Sequence, residues 1–355
     1  MLAEARGIVP DARVAAQGER FAIVELPAAA VARLVSQART IDDLRLLVAG
    51  PATVDTEQDF VLLCERAADQ TLELLGSERQ SVRPWSVTVS ARDPVWRRSP
   101  AWSASEIISA RLHGADTRGT VRSAVDLRIQ VDRRQAHFAL NLGGRPLGKR
   151  DDGGQAGRPG ALRPTVAAAL VRLAMADVDP GIAARGVYDP FCGSGTIVAE
   201  AMQLGLPVFG SDIDEGAVLA TRARISSLAD GPARGNRADD LAADLMHRVF
   251  RHDVLSGVPG RVTASIVASN LPWGKQVKVA RHGELFDLVA AIVADSIGRG
   301  GGCALLTTHE DQLAASLRRR GTGARISSRR IGLLGQTPGI VVASAGQLPH
   351  AWNRR

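Results

Sequence analysis

The chain has 355 residues, 45% hydrophobic and 23% charged, the balance of a soluble globular protein with room for two cores. No apolar run approaches the length of a membrane span. Three widely spaced cysteines and seven scattered histidines offer neither a disulfide framework nor a metal-ligand spacing. A formal charge of +7 favours a polyanionic partner, although almost all of it is arginine, with lysine at Lys149, Lys275 and Lys278 alone. The opening residues, Met1 to Arg6, lack the basic-then-apolar order of a signal peptide, so a cytoplasmic, metal-free protein with no membrane partner is expected.

In chain order, Phe21 to Leu26 reads as a strand, and Ala28 to Arg39 has helical spacing through Val31, Leu34 and Val35. Asp55 to Leu75 predicts a longer amphipathic helix with Phe60, Leu63, Cys64 and Ala67 on one face. Ser86 to Ser90 alternates as a strand. Ser103 to Leu112 predicts a helix in which Ser103 and Glu106 form a capping box. Val125–Val131 and Ala136–Leu142 read as a hairpin. From Gly143 to Pro164 the segment is rich in Gly, Asp, Arg and Pro without apolar periodicity, the mark of an interdomain linker.

Leu162 to Thr165 then opens a helix through Leu173, after which strands and helices alternate. Strands are predicted at Gly186–Tyr188, Val208–Ser211, Val249–His252, Ala264–Ala268 and Cys303–Thr307. Helices are predicted at Thr196–Leu204, Glu215–Leu228 and Glu284–Ile297, with a polar insertion at Gly231–Asp244. Such alternation implies an α/β fold with a doubly wound, Rossmann-like parallel sheet, whose ligands bind at the carboxyl ends of the strands.

The chemistry-bearing residues fall at those ends. Asp189 closes one strand, and Gly193 and Gly195 let the chain turn tightly into a helix opened by Thr196, whose free amides suit a carboxylate. A dinucleotide fingerprint wants a third glycine at Val198, which argues against a nicotinamide cofactor. Asp212 ends the next strand, placed to accept from ribose hydroxyls, with Ile213 lying against an adenine ring. Asp253, followed by Val254, ends the third and is suited to the adenine amino group. Taken singly, each acid reads equally well as a helix cap or a loop charge; three at successive strand ends point to a cofactor site. Cys192 sits inside the glycine turn, where a small side chain is wanted, and is not read as a nucleophile.

Downstream, Asn270-Leu271-Pro272-Trp273-Gly274 follows the fourth predicted strand. The exocyclic amine of a purine is a poor nucleophile because its lone pair is delocalised into the ring. The Asn270 amide oxygen and the Leu271 carbonyl can accept its two hydrogens and hold the nitrogen nearer tetrahedral. Pro272 stiffens the turn, and Trp273 offers a stacking face for an extruded base. Lys275 and Lys278 are placed to meet phosphates or to remain as solvated charge.

Asp189 to Glu200 (with Phe191 in it), Ser211 to Asp214, His252 to Val254 and Ser269 to Gly274 resemble motifs of class I S-adenosyl-L-methionine-dependent amino-methyltransferases. More narrowly, the chain resembles the THUMP-domain RNA guanine-N2-methyltransferases, through Asn141–Arg150 at the end of the THUMP hairpin, Leu162–Leu170 before the catalytic sheet, and Arg330–Pro338 as a late hairpin. The resemblance is strong from about residue 141 onward and weak before residue 80. It implies a THUMP-like α+β RNA-binding region at 1–145, a linker at 146–161 and a methyltransferase domain at 162–355. It implies N2-methylguanosine formation in a structured RNA, tRNA near the acceptor stem ahead of rRNA, with Thr165 near the methionine carboxylate of the cofactor. One departure stands out: the family pattern is Asn-Pro-Pro-aromatic, and Leu271 replaces the first proline while keeping the carbonyl. The nearest approach to an aromatic-basic RNA platform in the first region is Trp96, Arg97 and Arg98. The competing expectations are a DNA amino-methyltransferase and a noncatalytic RNA-binding protein.

Overall fold

The structure is a computed structural model that describes residues 1–18, 21–75, 85–91, 104, 106–108, 110, 125–132, 134–141, 147–148, 160–229, 247–272, 282–333 and 335–346. Most of the expected linker, the Ser103 cap, Trp96 to Arg98, the Gly231–Asp244 insertion, Trp273, Lys275 and Lys278 lie outside the described residues. Contacts divide the chain into two compact units, Met1–Leu147 and Gly148–Arg355.

In the first unit, helix α1 (Leu2–Ile8) and helix α2 (Ala28–Gln37) share a small core of Ala5, Leu34, Ala38 and Ile41, beside a ribbon of β1 (Arg13–Gln17) and β2 (Ala22–Glu25). The buried Glu4 carboxylate accepts the Arg39 and Thr40 amides, both at 2.7 Å, and so ties α1 to the end of α2. A four-stranded sheet follows, ordered β3 (Arg45–Thr53), β6 (Gln135–Asn141), β5 (Val125–Asp132), β4 (Trp85–Ala91). Its core is closed by helix α3 (Glu57–Leu75), which buries Phe60, Leu63, Cys64, Ala67 and Ala68, the spacing of one helical face. Thr56 and Asp59 cap that helix reciprocally: the Thr56 amide donates to Asp59 at 2.8 Å and the Asp59 amide to the Thr56 hydroxyl at 3.2 Å.

The second unit opens with helix α4 (Pro164–Met175) and is built on a seven-stranded sheet. In chain order its elements are β7 (Val187–Asp189), α5 (Thr196–Gln203), β8 (Val208–Asp212), α6 (Glu215–Ala229), β9 (Val249–Arg251) and β10 (Ile266–Asn270). There follow α7 (His282–Gly298), β11 (Gly302–Thr307), α8 (Glu310–Arg319), β12 (Arg325–Arg330) and β13 (Gly339–Ser344). The strand order is β12-β13-β11-β10-β7-β8-β9, with β13 antiparallel to both its neighbours and the other pairs parallel. One apolar layer joins α4 and α5 to the sheet through Leu170, Val171, Ile197, Val198 and Leu306. The other joins α7 and α8 through Phe286, Val289, Leu313 and Leu305. Both faces are covered, which is why β10, β11 and β13 read as nearly continuous apolar runs. The expected α/β, Rossmann-like doubly wound sheet is the fold observed.

One boundary is corrected. The fourth strand of this sheet was expected at Ala264–Ala268, with Asn270 in the loop beyond it. The strand is Ile266–Asn270, because its register with β11 runs from Ile266 opposite Gly302 to Asn270 opposite Leu306. Asn270 is therefore held by the sheet itself. Among the described residues no helix is long and apolar enough to cross a membrane, and no group of three or more His, Cys, Asp or Glu could hold a metal.

Candidate active site

Chain order reverses between β7 and β10, so a crevice opens where the connections leave the sheet in opposite directions. The residues singled out in the sequence line up along the carboxyl ends of four adjacent strands there: Asn270 on β10, Asp189 on β7, Asp212 on β8 and Asp253 just past β9.

The glycine turn after β7 is shaped by two left-handed residues, Gly193 at φ +53° and Gly195 at φ +75°. Gly195 caps α5 and sits so close to α6 that an added Cβ would come within 2.9–3.0 Å of Thr221. At Gly193 an added Cβ would find its nearest neighbour, the Phe191 carbonyl, 3.9 Å away; this side of the turn faces open space, as a backbone approached by a ligand must. Thr221 Oγ1 lies 3.0 Å from the Gly193 carbonyl and 3.4 Å from Cys192 Sγ. The buried Arg224 donates to the Thr196 hydroxyl at 3.2 Å. Burial raises the Cys192 thiol well above the ordinary range, with Asp189 adding to it, so it carries no thiolate for a covalent route.

Asp212 does two things at once. Its Oδ2 accepts the Gly193 amide at 3.0 Å, and its Oδ1 accepts the Asp214 amide at 3.0 Å. A carboxylate fixed by two main-chain donors is pre-aimed, and each oxygen retains a second lone pair for a hydroxyl. Ile213 beside it is 58% exposed, an apolar side chain presented at the mouth of the crevice. Asp253 caps the short turn Val254–Ser256, its Oδ1 accepting the Leu255 amide at 2.9 Å. Val254 points into the core with Tyr188 and Phe209, so any contact it makes with a ligand is through its main chain.

Asp189 behaves differently from the other two acids. It is 2% exposed, and its Oδ1 accepts both the Ser269 hydroxyl at 2.6 Å and the Phe191 amide at 3.1 Å. Burial is the main cause of a pKa raised to about 7, opposed by those two hydrogen bonds and reinforced by Asp212. Asp189 thus binds β7 to β10 from within, and Phe191 continues the turn half-buried against the α7 side of the core.

On the acceptor side, the Leu271 amide donates to the Leu306 carbonyl at 3.0 Å and its side chain is buried, which anchors the segment after Asn270; Pro272 is half-buried. Asn270 Nδ2 donates to the Gly160 carbonyl at 3.1 Å. That bond ties the amide to the main chain through its donor side. Thr165, the second residue of α4, is buried where that helix packs on α5, β10 and β11. The structure therefore brings Asn270, Asp189, Asp212 and the glycine turn together and places Ile213 and Asp253 at the rim. Ser269, Thr221 and Arg224 support the site without having been singled out in the sequence. Ser269 had a local signal, its position one residue before Asn270; the other two lie on helices and act across distances of nearly 30 residues.

The family model for the RMKL-like methyltransferase domain (UPF0020) matches residues 152–336, a span that contains every residue of this crevice. No curated protein matches in sequence. Among solved structures, TrmN from Thermus thermophilus superposes with a TM-score of 0.68 at 22% identity, covering 97% of this chain and 95% of its own. SMU.472, a proposed methyltransferase in complex with SAH, gives 0.60 at 14% identity over 97% and 94%. A predicted N6-adenine-specific DNA methylase from Listeria monocytogenes str. 4b F2365 gives 0.59 at 15% identity over 92% and 88%. At these identities the likeness is one of fold.

Proposed function

This chain belongs to the RMKL-like methyltransferase domain family, a family dependent on S-adenosyl-L-methionine, and from that premise we propose that it forms N2-methylguanosine in tRNA, in the acceptor-stem region, acting in the cytoplasm. The observation that carries the reading is the placement of Asn270. It ends the strand next to the Asp189 glycine turn, with its side-chain nitrogen bonded to the Gly160 carbonyl, at the carboxyl end of the sheet where the cofactor turn lies.

In this reading residues 162–355 hold the cofactor and the base, residues 1–145 grip structured RNA as a THUMP-like region, and 146–161 connect them. Thr165, Gly193, Gly195 and Thr196 receive the methionine part of the cofactor, with Phe191 and Asp189 shaping the turn. Asp212 accepts from the ribose, and Ile213, Asp253 and Val254 meet the adenine. The bound cofactor supplies an electrophilic methyl on a sulfonium. The Asn270 oxygen and the Leu271 carbonyl take the two amino hydrogens of guanine, and Pro272 and Trp273 hold the flipped ring. No strong base is needed, since alignment of the amine with the methyl carries most of the effect. The resemblance to the THUMP-domain RNA guanine-N2-methyltransferases favours tRNA over rRNA. A DNA amine is the second reading, favoured by the fold shared with the Listeria DNA methylase.

Nucleoside mass spectrometry of tRNA, rRNA and duplex DNA after incubation with the enzyme separates these. The expected result is one new N2-methylguanosine in tRNA. Asn270→Ala is expected to bind S-adenosylhomocysteine as the wild type does and to lose methyl transfer by at least about a hundredfold, the scale of removing a positioned transition-state contact. Methylation of tRNA by Asn270→Ala at the wild-type rate would overturn the pocket.

A further inference from the structure

The turn between β7 and α5 is braced from behind by a side chain of another helix. Thr221, midway along α6, is fully buried, and its Cγ2, Cα and Oγ1 lie 2.9–3.0 Å from where a Cβ on Gly195 would stand. That close packing fixes the position of its hydroxyl. Oγ1 is 3.0 Å from the Gly193 carbonyl and 3.4 Å from Cys192 Sγ. A threonine hydroxyl has one hydrogen to give, and the carbonyl is the better acceptor, since sulfur accepts weakly.

Gly193 needs such a tie. It has no side chain, its φ is +53°, and an added Cβ would find its first neighbour 3.9 Å away, so packing does little to hold its conformation. Hydrogen bonds hold it at both ends instead. Its carbonyl accepts the Thr221 hydroxyl, and its amide donates to Asp212 Oδ2 at 3.0 Å. The two groups belong to one residue and are separated by its φ and ψ alone, so a carbonyl that swings away carries the amide with it. The other Asp212 oxygen accepts the Asp214 amide, from the loop that follows β8. One oxygen of the carboxylate is thus braced by its own segment and the other by the glycine turn, and the turn in its turn by α6.

We propose that Thr221 is a positioning residue for the cofactor: by tying the Gly193 carbonyl it keeps the Gly193 amide on Asp212, and so keeps that carboxylate aimed at the ribose hydroxyls of S-adenosyl-L-methionine. The proposal rests on the ribose role given to Asp212 above and is independent of which base receives the methyl. It gives α6, which supplies none of the residues assigned to the cofactor, a share in cofactor affinity.

Calorimetric titration with S-adenosylhomocysteine tests it. Thr221→Val and Thr221→Ala both remove the hydroxyl, and each should weaken binding about tenfold, the scale on which a buried carbonyl left without its donor disturbs a pre-aimed site. The alanine variant keeps the test open if valine is too crowded beside Gly193 to fold. Thr221→Ser restores the donor and should bind within about twofold of wild type. The double variant Thr221→Ala/Asp212→Asn should bind no more weakly than Asp212→Asn alone, because both changes act on one path. Thr71→Val separates position from stability. Thr71 lies in α3 of the other unit, is equally buried, and donates to the Ala67 carbonyl at 2.7 Å. Its loss should lower the melting temperature and leave the affinity for S-adenosylhomocysteine unchanged. Wild-type affinity in Thr221→Ala, beside a weakened Asp212→Asn, would overturn the proposal and leave the ribose role standing. Full additivity in the double variant, no rescue by serine, or an equal loss of affinity in Thr71→Val would overturn it in the same way. Asp212→Asn binding as tightly as the wild type would remove the ribose role itself, and this proposal with it.

Discussion

Asp189 is a carboxyl placed where charge is expensive. Buried between two strands, it accepts from Ser269 and Phe191, and its pKa rises to about 7 chiefly by desolvation. The sign of the consequence follows from linkage. A carboxyl with a folded-state pKa above its unfolded value favours folding most when both states hold the proton, below about pH 4. It loses that contribution as pH climbs to about 7, at roughly 1.4 kcal/mol per tenfold change in proton affinity. Asp59 and Asp287, whose pKa values are lowered by hydrogen bonds from Thr56 and Arg319, push the opposite way, so the test is a difference. Between pH 4 and 7, urea midpoints of the wild type should fall relative to those of Asp189→Asn, and the two should run parallel above pH 7. Parallel curves throughout would mean that the carboxyl is ionised in the folded protein. Asp212 is the counterpart: an acid on the same face whose oxygens accept main-chain amides and which stays at the surface of the crevice.

At the scale of elements, the turn from β7 to α5 holds two effects that can be separated. Gly195 needs φ +75° and has no room for a Cβ beside Thr221, whereas Gly205, at φ +78°, has nothing within 4 Å of an added Cβ. Gly205→Ala should therefore cost the left-handed strain alone, about 1–2 kcal/mol, and Gly195→Ala should cost more, with the larger fall in melting temperature. Equal falls would mean that α6 yields freely. Periodicity made most of these elements legible. The face of α3 is readable as Phe60, Leu63, Cys64 and Ala67, and the strands of the second unit lie within a few residues of their apolar runs. Other elements were missed for identifiable reasons. β3 is interrupted by Gly50-Pro51, which reads as a turn, and its register shifts there. α8 opens with Glu310 and Asp311 and ends in arginines, leaving Leu313, Ala314 and Leu317 as a short apolar face. The placement of the candidate residues was legible wherever the signal is local: the glycine turn, the three acids and Asn270 each sit at the end of a run. Ser269 sits next to Asn270, but its hydrogen bond to Asp189 spans 80 residues and cannot be read from spacing.

At the scale of the whole molecule, the two units differ in what they hold. The unit Gly148–Arg355 holds the crevice and the family match; the unit Met1–Leu147 is a four-stranded sheet with α3 on it and a smaller layer of α1 and α2. A ligand that binds the folded crevice should raise the unfolding temperature by mass action. S-adenosylhomocysteine at a hundredfold excess over its Kd should add about 2.7 kcal/mol, and NAD should add nothing measurable. A larger shift with NAD would return the chain to the oxidoreductases.

The Ser269–Asp189 bond also limits how this enzyme can be re-engineered. The segment proposed to select the base and the turn proposed to surround the cofactor are far apart in the sequence, yet they share one carboxyl. They are not interchangeable cassettes. Grafting a base-selecting loop from another methyltransferase, to send the methyl elsewhere, must bring a hydroxyl to position 269 or leave a buried acid short of a donor in the wall of the neighbouring compartment.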